Sequence, residues 1–271
     1  MGFYHPLDAS FGTFSGKTLI VPIVSTANVA QLAVDLLVAN LSLHLIGSFD
    51  SRDLVPVVGG REDGLSGLTT PLELFGKEDV GIVCIQQRSP VLKSRKQEFI
   101  DTLLEFIKGA DFSAVLFLSG VDLSDRTDSQ MGTPTFHIHP PNTAPWANAP
   151  LASIPVRIPE YTTPVSQHPT PVSHESSIPF IPGGGLTRRV LSTLSAQADM
   201  FPVPTASVLN FVLEGDNTPD ARWLAGIVLA VLGIRGPEVV VDEEGFGRLD
   251  WREPASWKGL FGTPGDGSLY G

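Results

Sequence analysis

Three groups of polar residues have the types and the spacing to carry chemistry, and the acidic group is the strongest of them. The stretch LEGDNTPDA places Glu214, Asp216 and Asp220 directly after an apolar run. Carboxylates so close together can act as general acid, general base or metal ligand. The same stretch is also typical of a helix start, where Asn217 or Thr218 caps the helix and Asp220 lies at its positive end. We interpret the group as a helix start.

Two histidines in the stretch FHIHP form the second group. On a strand, His137 and His139 point to the same face, as two ligands of a zinc ion could. The stretch contains no cysteine or carboxylate to complete a ligand set. We therefore interpret the histidines as a structural pair and predict no metal site.

The third group is the glycine-rich stretch IPGGGLT, residues 181–187, which precedes a predicted helix. It lacks the lysine with which a P-loop holds phosphate, and the loop STANVAQ after the first predicted strand has no glycine for a dinucleotide fingerprint. No Gly-x-Ser-x-Gly nucleophile elbow accompanies the histidines. We predict close packing or a partner contact at the glycines, no cofactor and no catalytic residue. The alternative is a hydrolase or nucleotide-handling enzyme with a site lined by Asp216, Asp220 or Ser119.

Alternating apolar runs and amphipathic stretches must position these groups, and they predict an α/β protein. Each apolar run is short and rich in branched residues, as in strands that are buried on both faces. Each amphipathic stretch repeats its apolar residues with the period of a helix. The predicted strands cover residues 18–24, 43–49, 80–86, 114–120 and 206–215, and the predicted helices cover residues 28–41, 93–110, 185–197 and 219–233.

The order of these elements predicts the architecture. Two strands that bracket a helix form a parallel βαβ unit, and repetition of this pattern gives a mostly parallel central sheet with helices on both faces. We therefore predict a single three-layer, doubly wound α/β domain over residues 1–261. The turn chemistry around residues 61–64 suggests an added strand or hairpin.

Two segments depart from this pattern. Residues 121–182 hold 12 of the 23 prolines, and proline removes donors from sheets and interrupts helices. We predict a proline-rich surface insertion there that contains no buried element and is partly disordered near residues 161–177. In residues 262–271, the first seven positions hold three glycines and one proline. This composition predicts a flexible C-terminal tail.

Charge and composition exclude several classes of protein. The net charge is −11 and the isoelectric point is about 4.9, which disfavours binding to nucleic acid or to anionic membranes. The sequence has no apolar run of membrane-spanning length and no secretory signal at its start. The single cysteine, Cys84, lies in an apolar run and is predicted to be buried. We expect a cytoplasmic or nuclear protein.

The chain resembles the PAC2 family of proteasome assembly chaperones. The stretches that carry the resemblance are FSGKTLIVPIVSTANVAQLAVDLLVANL, IPGGGLTRRV, FVLEGDNTPDA and SWKGLFG, and their order and spacing match over nearly the whole chain. The proline-rich insertion is longer than the family leads us to expect, and no function transfers onto it. The resemblance implies a protein without enzymatic activity. It also implies a heterodimer with proteasome assembly chaperone 1 that binds the α-subunit ring of the 20S core particle and promotes its assembly.

The resemblance also gives the last three residues a role. Proteasome activators and assembly factors end in a hydrophobic residue, a tyrosine and any residue, the HbYX motif, which enters pockets between neighbouring α subunits. Here the motif corresponds to Leu269, Tyr270 and Gly271. We expect these residues to bind the proteasome and the preceding glycine-rich stretch to act as their tether.

Overall fold

The computed structural model describes residues 2–8, 11–61, 67–144, 146, 158–162, 178–197, 201–241 and 247–258. Within these ranges the chain forms the strands β1 (Tyr4–Pro6), β2 (Thr18–Pro22), β3 (His44–Phe49), β4 (Gly59–Gly60), β5 (Leu68–Thr69), β6 (Leu72–Gly76), β7 (Ile82–Gln87), β8 (Ala114–Asp122), β9 (Thr135–Ile138), β10 (Thr205–Val212), β11 (Val239–Val241) and β12 (Gly247–Leu249). Its α-helices are α1 (Val29–Asn40), α2 (Lys96–Gly109), α3 (Gly185–Ser195) and α4 (Thr218–Leu232).

A mixed central sheet organises these elements. In the described part of the chain it has eight strands in the order β1-β3-β6-β7-β2-β8-β10-β9. Strands β7, β2, β8 and β10 are parallel neighbours, and β3 runs in the same direction, whereas β1, β6 and β9 run antiparallel to their neighbours. The mostly parallel sheet predicted from the sequence is confirmed.

Helices cover both faces of this sheet, as predicted. Helices α2 and α3 contribute to one apolar core, and α1 and α4 to the other. The residues of β2 alternate between the two, because successive side chains of a strand point to opposite faces: Leu19 and Val21 lie in the first core and Ile20 in the second. The predicted inner face of α2 is buried throughout, and it consists of Phe99, Ile100, Leu103, Leu104 and Ile107.

The sequence reading missed β1 and β6, which changes the position of β3. Strands β2 and β3 run in the same direction, as a βαβ unit requires, but β7 and β6 lie between them. Strand β6 is only five residues long and carries Glu73 at its second position, so its pattern does not resemble a buried strand. The structure buries that carboxylate beside Arg61, whose Nη2 lies 2.7 Å from Glu73 Oε1.

Two further expectations concern local elements. The hairpin predicted near residues 61–64 is present as the β4–β5 pair, although residues 62–66 lie outside the described ranges. Cys84 is fully buried, as predicted, and burial raises the pKa of its thiol, which disfavours the reactive thiolate.

The prediction that residues 121–182 contain no buried element is wrong for the parts that the structure describes. Strand β9 lies at the edge of the sheet beside β10, with Phe136 buried. Ile158 and Tyr161 are also buried, and Tyr161 Oη donates a hydrogen bond to the carbonyl oxygen of Phe180. Pro134 and Pro140 flank β9 and do not interrupt it, so the residues between the prolines can still pair with a strand and be buried. The disorder was predicted near residues 161–177. At Tyr161, which is described and buried, this prediction is wrong, and residues 163–177 lie outside the described ranges.

Candidate functional site

The loops at the carboxyl ends of the parallel strands are where α/β proteins usually bind their ligands. Here the loop after β2 contacts the end of β10, since the backbone N–H of Ala27 donates to Glu214 Oε1 at 2.9 Å. The same loop is joined to β8, because Ser25 Oγ accepts from the N–H of Gly120 at 2.8 Å. The N–H of Asp122 donates to the carbonyl oxygen of Pro182, which fixes the glycine-rich stretch beside them.

Glycine residues, which have no side chain, allow these loops to approach each other closely. A Cβ added to Gly120 would lie 2.4 Å from the carbonyl oxygen of Thr26, and one added to Gly183 would lie 1.8 Å from Thr26 Oγ1. Gly183 also has φ of +70°, which side chains rarely adopt. The glycine-rich stretch therefore packs the strand ends together, which confirms the close packing that we predicted for it.

Replacing Gly120 with alanine is expected to lower the free energy of unfolding by about 1–3 kcal/mol. The added methyl group meets a backbone oxygen, which cannot rotate away as a side chain could. Urea denaturation of the purified chain measures the effect.

The matched control is Gly185→Ala, at the first residue of α3, where an added Cβ has no neighbour within 4 Å among the described residues. This variant is expected to be as stable as the parent chain. Equal losses from Gly120→Ala and Gly185→Ala would show that the contact with Thr26 does not constrain the loop.

Ser119 is not available as a nucleophile. It is fully buried, and its Oγ accepts a hydrogen bond from Thr187 Oγ1 at 2.7 Å. Ser119 Oγ in turn donates to the carbonyl oxygen of Gly120. The hydroxyl thus ties β8 to the first turn of α3, and the surrounding loops separate it from solvent.

The acidic group forms a helix start, as we favoured, but with a different cap. Asn217 occupies the N-cap position of α4 without a side-chain cap bond, and Asp216 Oδ1 accepts from the N–H of Thr218 instead. This hydrogen bond lowers the pKa of Asp216, whereas partial burial raises the pKa of Asp220. Glu214 is engaged by the loop after β2. Glu214 and Asp216 thus each accept a hydrogen bond from a backbone N–H and hold a loop or a helix start in place.

The two histidines lie side by side at the end of β9. Their rings meet edge to face with centroids 5.1 Å apart, and His137 Nδ1 lies 2.9 Å from the carbonyl oxygen of Ile158. Burial lowers the pKa of His137, with a smaller contribution from His139. The described residues contain no group of three or more histidine, cysteine or carboxylate side chains that could hold a metal ion. The interpretation as a structural pair agrees with these contacts.

An open cavity lies near the carboxyl end of β7, and the sequence reading missed it. It has a volume of about 450 Å³. Its wall comes from the start of α1, from the residues that follow β7 and from Trp257. The only sequence signal was a run of polar residues, QQRS (residues 86–89), directly after an apolar strand.

A network of charged and amide side chains lies along this cavity. Asp35 Oδ1 accepts from Gln86 Nε2 at 2.6 Å, and Asp35 Oδ2 accepts from Trp257 Nε1 at 3.4 Å. Arg88 lies between two carboxylates, with Nη1 3.8 Å from Asp35 Oδ1 and Nε 3.9 Å from Glu73 Oε2. The network joins α1 to β6 and β7.

The remaining predicted site residues, Leu269, Tyr270 and Gly271, lie outside the described residues. In the part of the chain that the structure describes, no helix is both long enough and apolar enough to cross a bilayer. Within the same part, the fold and its packed strand ends define an α/β protein in which no catalytic constellation forms at the usual edge of the sheet.

Comparison with known proteins narrows this class to one family. The sequence profile of the PAC2 family matches residues 19–203, more than half of the chain. A protein named proteasome assembly chaperone 2 from Danio rerio is 30% identical over 257 residues, covering 93% of this chain and 94% of the relative. A protein of the same name from Xenopus laevis is 32% identical over 255 residues, covering 92% and 93%. The chain belongs to the PAC2 family, as its resemblance predicted.

Solved structures share the fold. Pyrococcus furiosus PbaA, described as an archaeal homolog of proteasome-assembly chaperone, has a TM-score of 0.59 and 16% identity, covering 86% of this chain and 87% of PbaA. The archaeal proteasome activator PbaB from the same organism has a TM-score of 0.55 and 12% identity, covering 87% and 91%. The curated relatives are named as chaperones and not as enzymes, which confirms the prediction of a non-enzymatic class.

Proposed function

We propose that this chain is a proteasome assembly chaperone that pairs with proteasome assembly chaperone 1 and binds the α-subunit ring of the 20S core particle. The observation that carries the proposal is similarity over almost the full length of chaperones of this name, at about 30% identity. The packed strand ends support it, because they leave the described carboxylates and Ser119 in structural roles.

The tail provides the second part of the proposal. Leu269, Tyr270 and Gly271 form an HbYX motif that inserts into a pocket between two α subunits. The carboxylate of Gly271 accepts a charge-assisted hydrogen bond there. Residues 262–268 span at most about 25 Å, enough for the motif to reach from a docked body into a groove.

The base of this tail is well placed to act as a tether. Trp257 is buried, and its Nε1 donates to Asp35 on α1. The last described residues before the predicted tail are therefore held against α1. A short motif on such a tether acts at an effective concentration near the millimolar range, which raises the affinity of a contact that is weak alone.

We place this activity in the cytoplasm and the nucleus. The net charge of −11 disfavours association with nucleic acid, and the partners we propose are proteins.

Co-purification tests the proposed function. The chain is expressed with an amino-terminal tag in cells, and the recovered partners are identified by mass spectrometry. We expect a sister chaperone together with proteasome α subunits, without an excess of β subunits. Recovery of the chain without α subunits at expression levels near the natural one would contradict the proposal.

A further inference from the structure

An exposed run of four apolar residues lies directly before β4. Its sequence is VPVV, residues 55–58, and every one of these residues is exposed. Val58 is the most exposed of the three valines, with 74% of its surface accessible. Single exposed apolar residues are ordinary on a protein surface, but a contiguous exposed run is typical of a surface that another molecule covers.

The apolar surface extends onto β5. Gly60 on β4 pairs with Leu68 on β5, and Leu68 is 60% exposed. Val58 precedes Gly60 by two residues, which places it diagonally opposite Leu68 on the same face of the ribbon. Gly59 and Gly60 have no side chain to cover the surface between them. We call residues 55–58 and Leu68 the valine patch.

The start of the valine patch is held in place by the body of the protein. The N–H of Val55 donates to the carbonyl oxygen of Pro90 at 3.0 Å, and the ring of Pro56 fixes its own φ. A surface that is already ordered loses little conformational entropy when a partner binds. The N–H groups of Val57 and Val58 make no hydrogen bond within the described structure, so they can donate to an extended partner segment.

Cationic side chains border the valine patch. Arg52 lies three residues before it, and its side chain is 61% exposed. The N–H of Leu92 donates to the carbonyl oxygen of Asp53 at 2.9 Å, which holds the start of α2 against the same segment. This contact brings the exposed Lys93 beside the patch, together with Arg95, whose Nε lies 2.9 Å from Asp53 Oδ1.

The carboxylates that pair with these cations are mostly less exposed than the cations themselves. The side chains of Asp53 and Asp50 are 9% and 21% exposed, whereas that of Arg95 is 43% exposed. Of the three paired carboxylates in the described chain, only Glu98 is as exposed as its partner. A partner therefore meets mainly positive charge at this border, although the whole chain carries a net charge of −11.

These charges decide which kind of molecule covers the patch. A second copy of this chain would bring the same cations to the contact and a further net charge of −11, so both the local and the overall charge oppose such pairing. An anionic membrane repels the overall charge, and the patch has no tryptophan or tyrosine to anchor it in the interface. A protein segment with acidic residues on either side of apolar ones complements both the valines and their border.

We propose that the valine patch binds an extended segment of a protein partner in which apolar side chains lie between acidic residues. The apolar side chains cover Val57, Val58 and Leu68, and the acidic residues meet Arg52 and Lys93. Carbonyl groups of the segment accept hydrogen bonds from the backbone of the two valines. The patch is separate from the tail, so the proposal does not depend on the HbYX motif or on the proteasome.

Synthetic peptides test this chemistry directly. The full-length chain is titrated into a fluorescently labelled peptide of sequence EEVLVEE, and binding is followed by fluorescence anisotropy. The matched peptides are KKVLVKK, which reverses the charges, and EESSSEE, which removes the apolar centre. We expect saturable binding of EEVLVEE and binding of either matched peptide that is at least about tenfold weaker.

The double variant Val57→Ser/Val58→Ser removes apolar surface from the chain itself. Both side chains are exposed, so the melting temperature is expected to stay unchanged while binding of EEVLVEE falls at least about tenfold. Lys93→Glu reverses one border charge and is expected to weaken binding of EEVLVEE by about three- to tenfold. The control is Val239→Ser, at a valine on β11 that is 65% exposed, where binding is expected to be unchanged.

Four results would overturn the proposal. One is the absence of saturable binding of EEVLVEE at millimolar concentration. Another is equal binding of the three peptides, or equal binding of EEVLVEE to the parent chain and to the double variant. The third is binding to phosphatidylserine vesicles that the double variant loses, which would identify a lipid surface. The fourth is concentration-dependent self-association in sedimentation that the double variant loses, which would identify a second copy of the chain.

Discussion

Deletion of Tyr270 and Gly271 is expected to weaken capture of proteasome α rings by about 10- to 100-fold. A buried tyrosine removes about 150–250 Å² from water, which at about 25 cal/mol/Å² contributes about 4–6 kcal/mol before ordering costs. Ordering of the tail offsets part of this gain, and each 1.4 kcal/mol that remains is a factor of ten in affinity. The deletion also removes the carboxylate from the position where the pocket accepts it.

Quantitative pull-down of purified α rings on the immobilised heterodimer measures this effect. The matched control is Ser268→Ala, which changes the same tail without touching the motif and is expected to retain full capture. Pairing with the sister chaperone is expected to be the same for all three proteins, because the deletion lies beyond Trp257, the last buried residue of the described chain. Unchanged α-ring capture by the deleted chain would refute the tail's role.

Replacement of Glu73 with alanine is expected to lower the free energy of unfolding by about 3–5 kcal/mol. Glu73 is fully buried on β6, and its Oε1 accepts hydrogen bonds from Arg61 at 2.7 Å and from the N–H of Thr70 at 3.0 Å. The side chain of Arg61 is only 14% exposed. Without Glu73, its guanidinium remains largely buried with no opposite charge beside it.

Urea denaturation measures the loss, and two comparisons isolate its cause. Glu253→Ala removes the carboxylate of an ion pair with Arg222 in which both side chains are more than 40% exposed, and it is expected to cost about 0–1 kcal/mol. The double variant Arg61→Leu/Glu73→Leu is expected to be more stable than Glu73→Ala, because no unpaired charge remains between those two positions. A loss below 1 kcal/mol from Glu73→Ala would contradict a stabilising role for the buried pair.

Gln86 at the end of β7 and Arg88 directly after it connect the buried ion pair to the cavity. Arg88 lies between Glu73 on β6 and Asp35 on α1, and Gln86 is hydrogen-bonded to the same aspartate. Loss of Glu73 is therefore expected to affect the arrangement of Arg88 as well as the stability of β6.

Periodicity allowed the sequence to determine the strands and helices that lie in regular, apolar surroundings. The inner face of α2 was predicted residue by residue, since a 3.6-residue period identifies it without any knowledge of its neighbours. The strands β2, β7, β8 and β10 were found from short, mostly apolar runs. Such runs are typical of strands that are buried on both faces. The alternation of these strands and helices along the chain then predicted a sheet with helices on both faces.

Tertiary structure decided the features that depend on distant partners. Glu73 can lie in a buried strand because Arg61 pairs with its carboxylate. The burial of Phe136 and Tyr161 depends on the residues that pack on them. No local pattern in the sequence predicts these partners. The cavity at β7 is formed by α1 and Trp257, which are more than 200 residues apart in the chain. By itself, the sequence determined the class of the fold and the kinship with the PAC2 family, both of which reside in local order and spacing. Only the folded chain brings together the buried ion pair, the packed glycines and the cavity, because long-range packing supplies their partners.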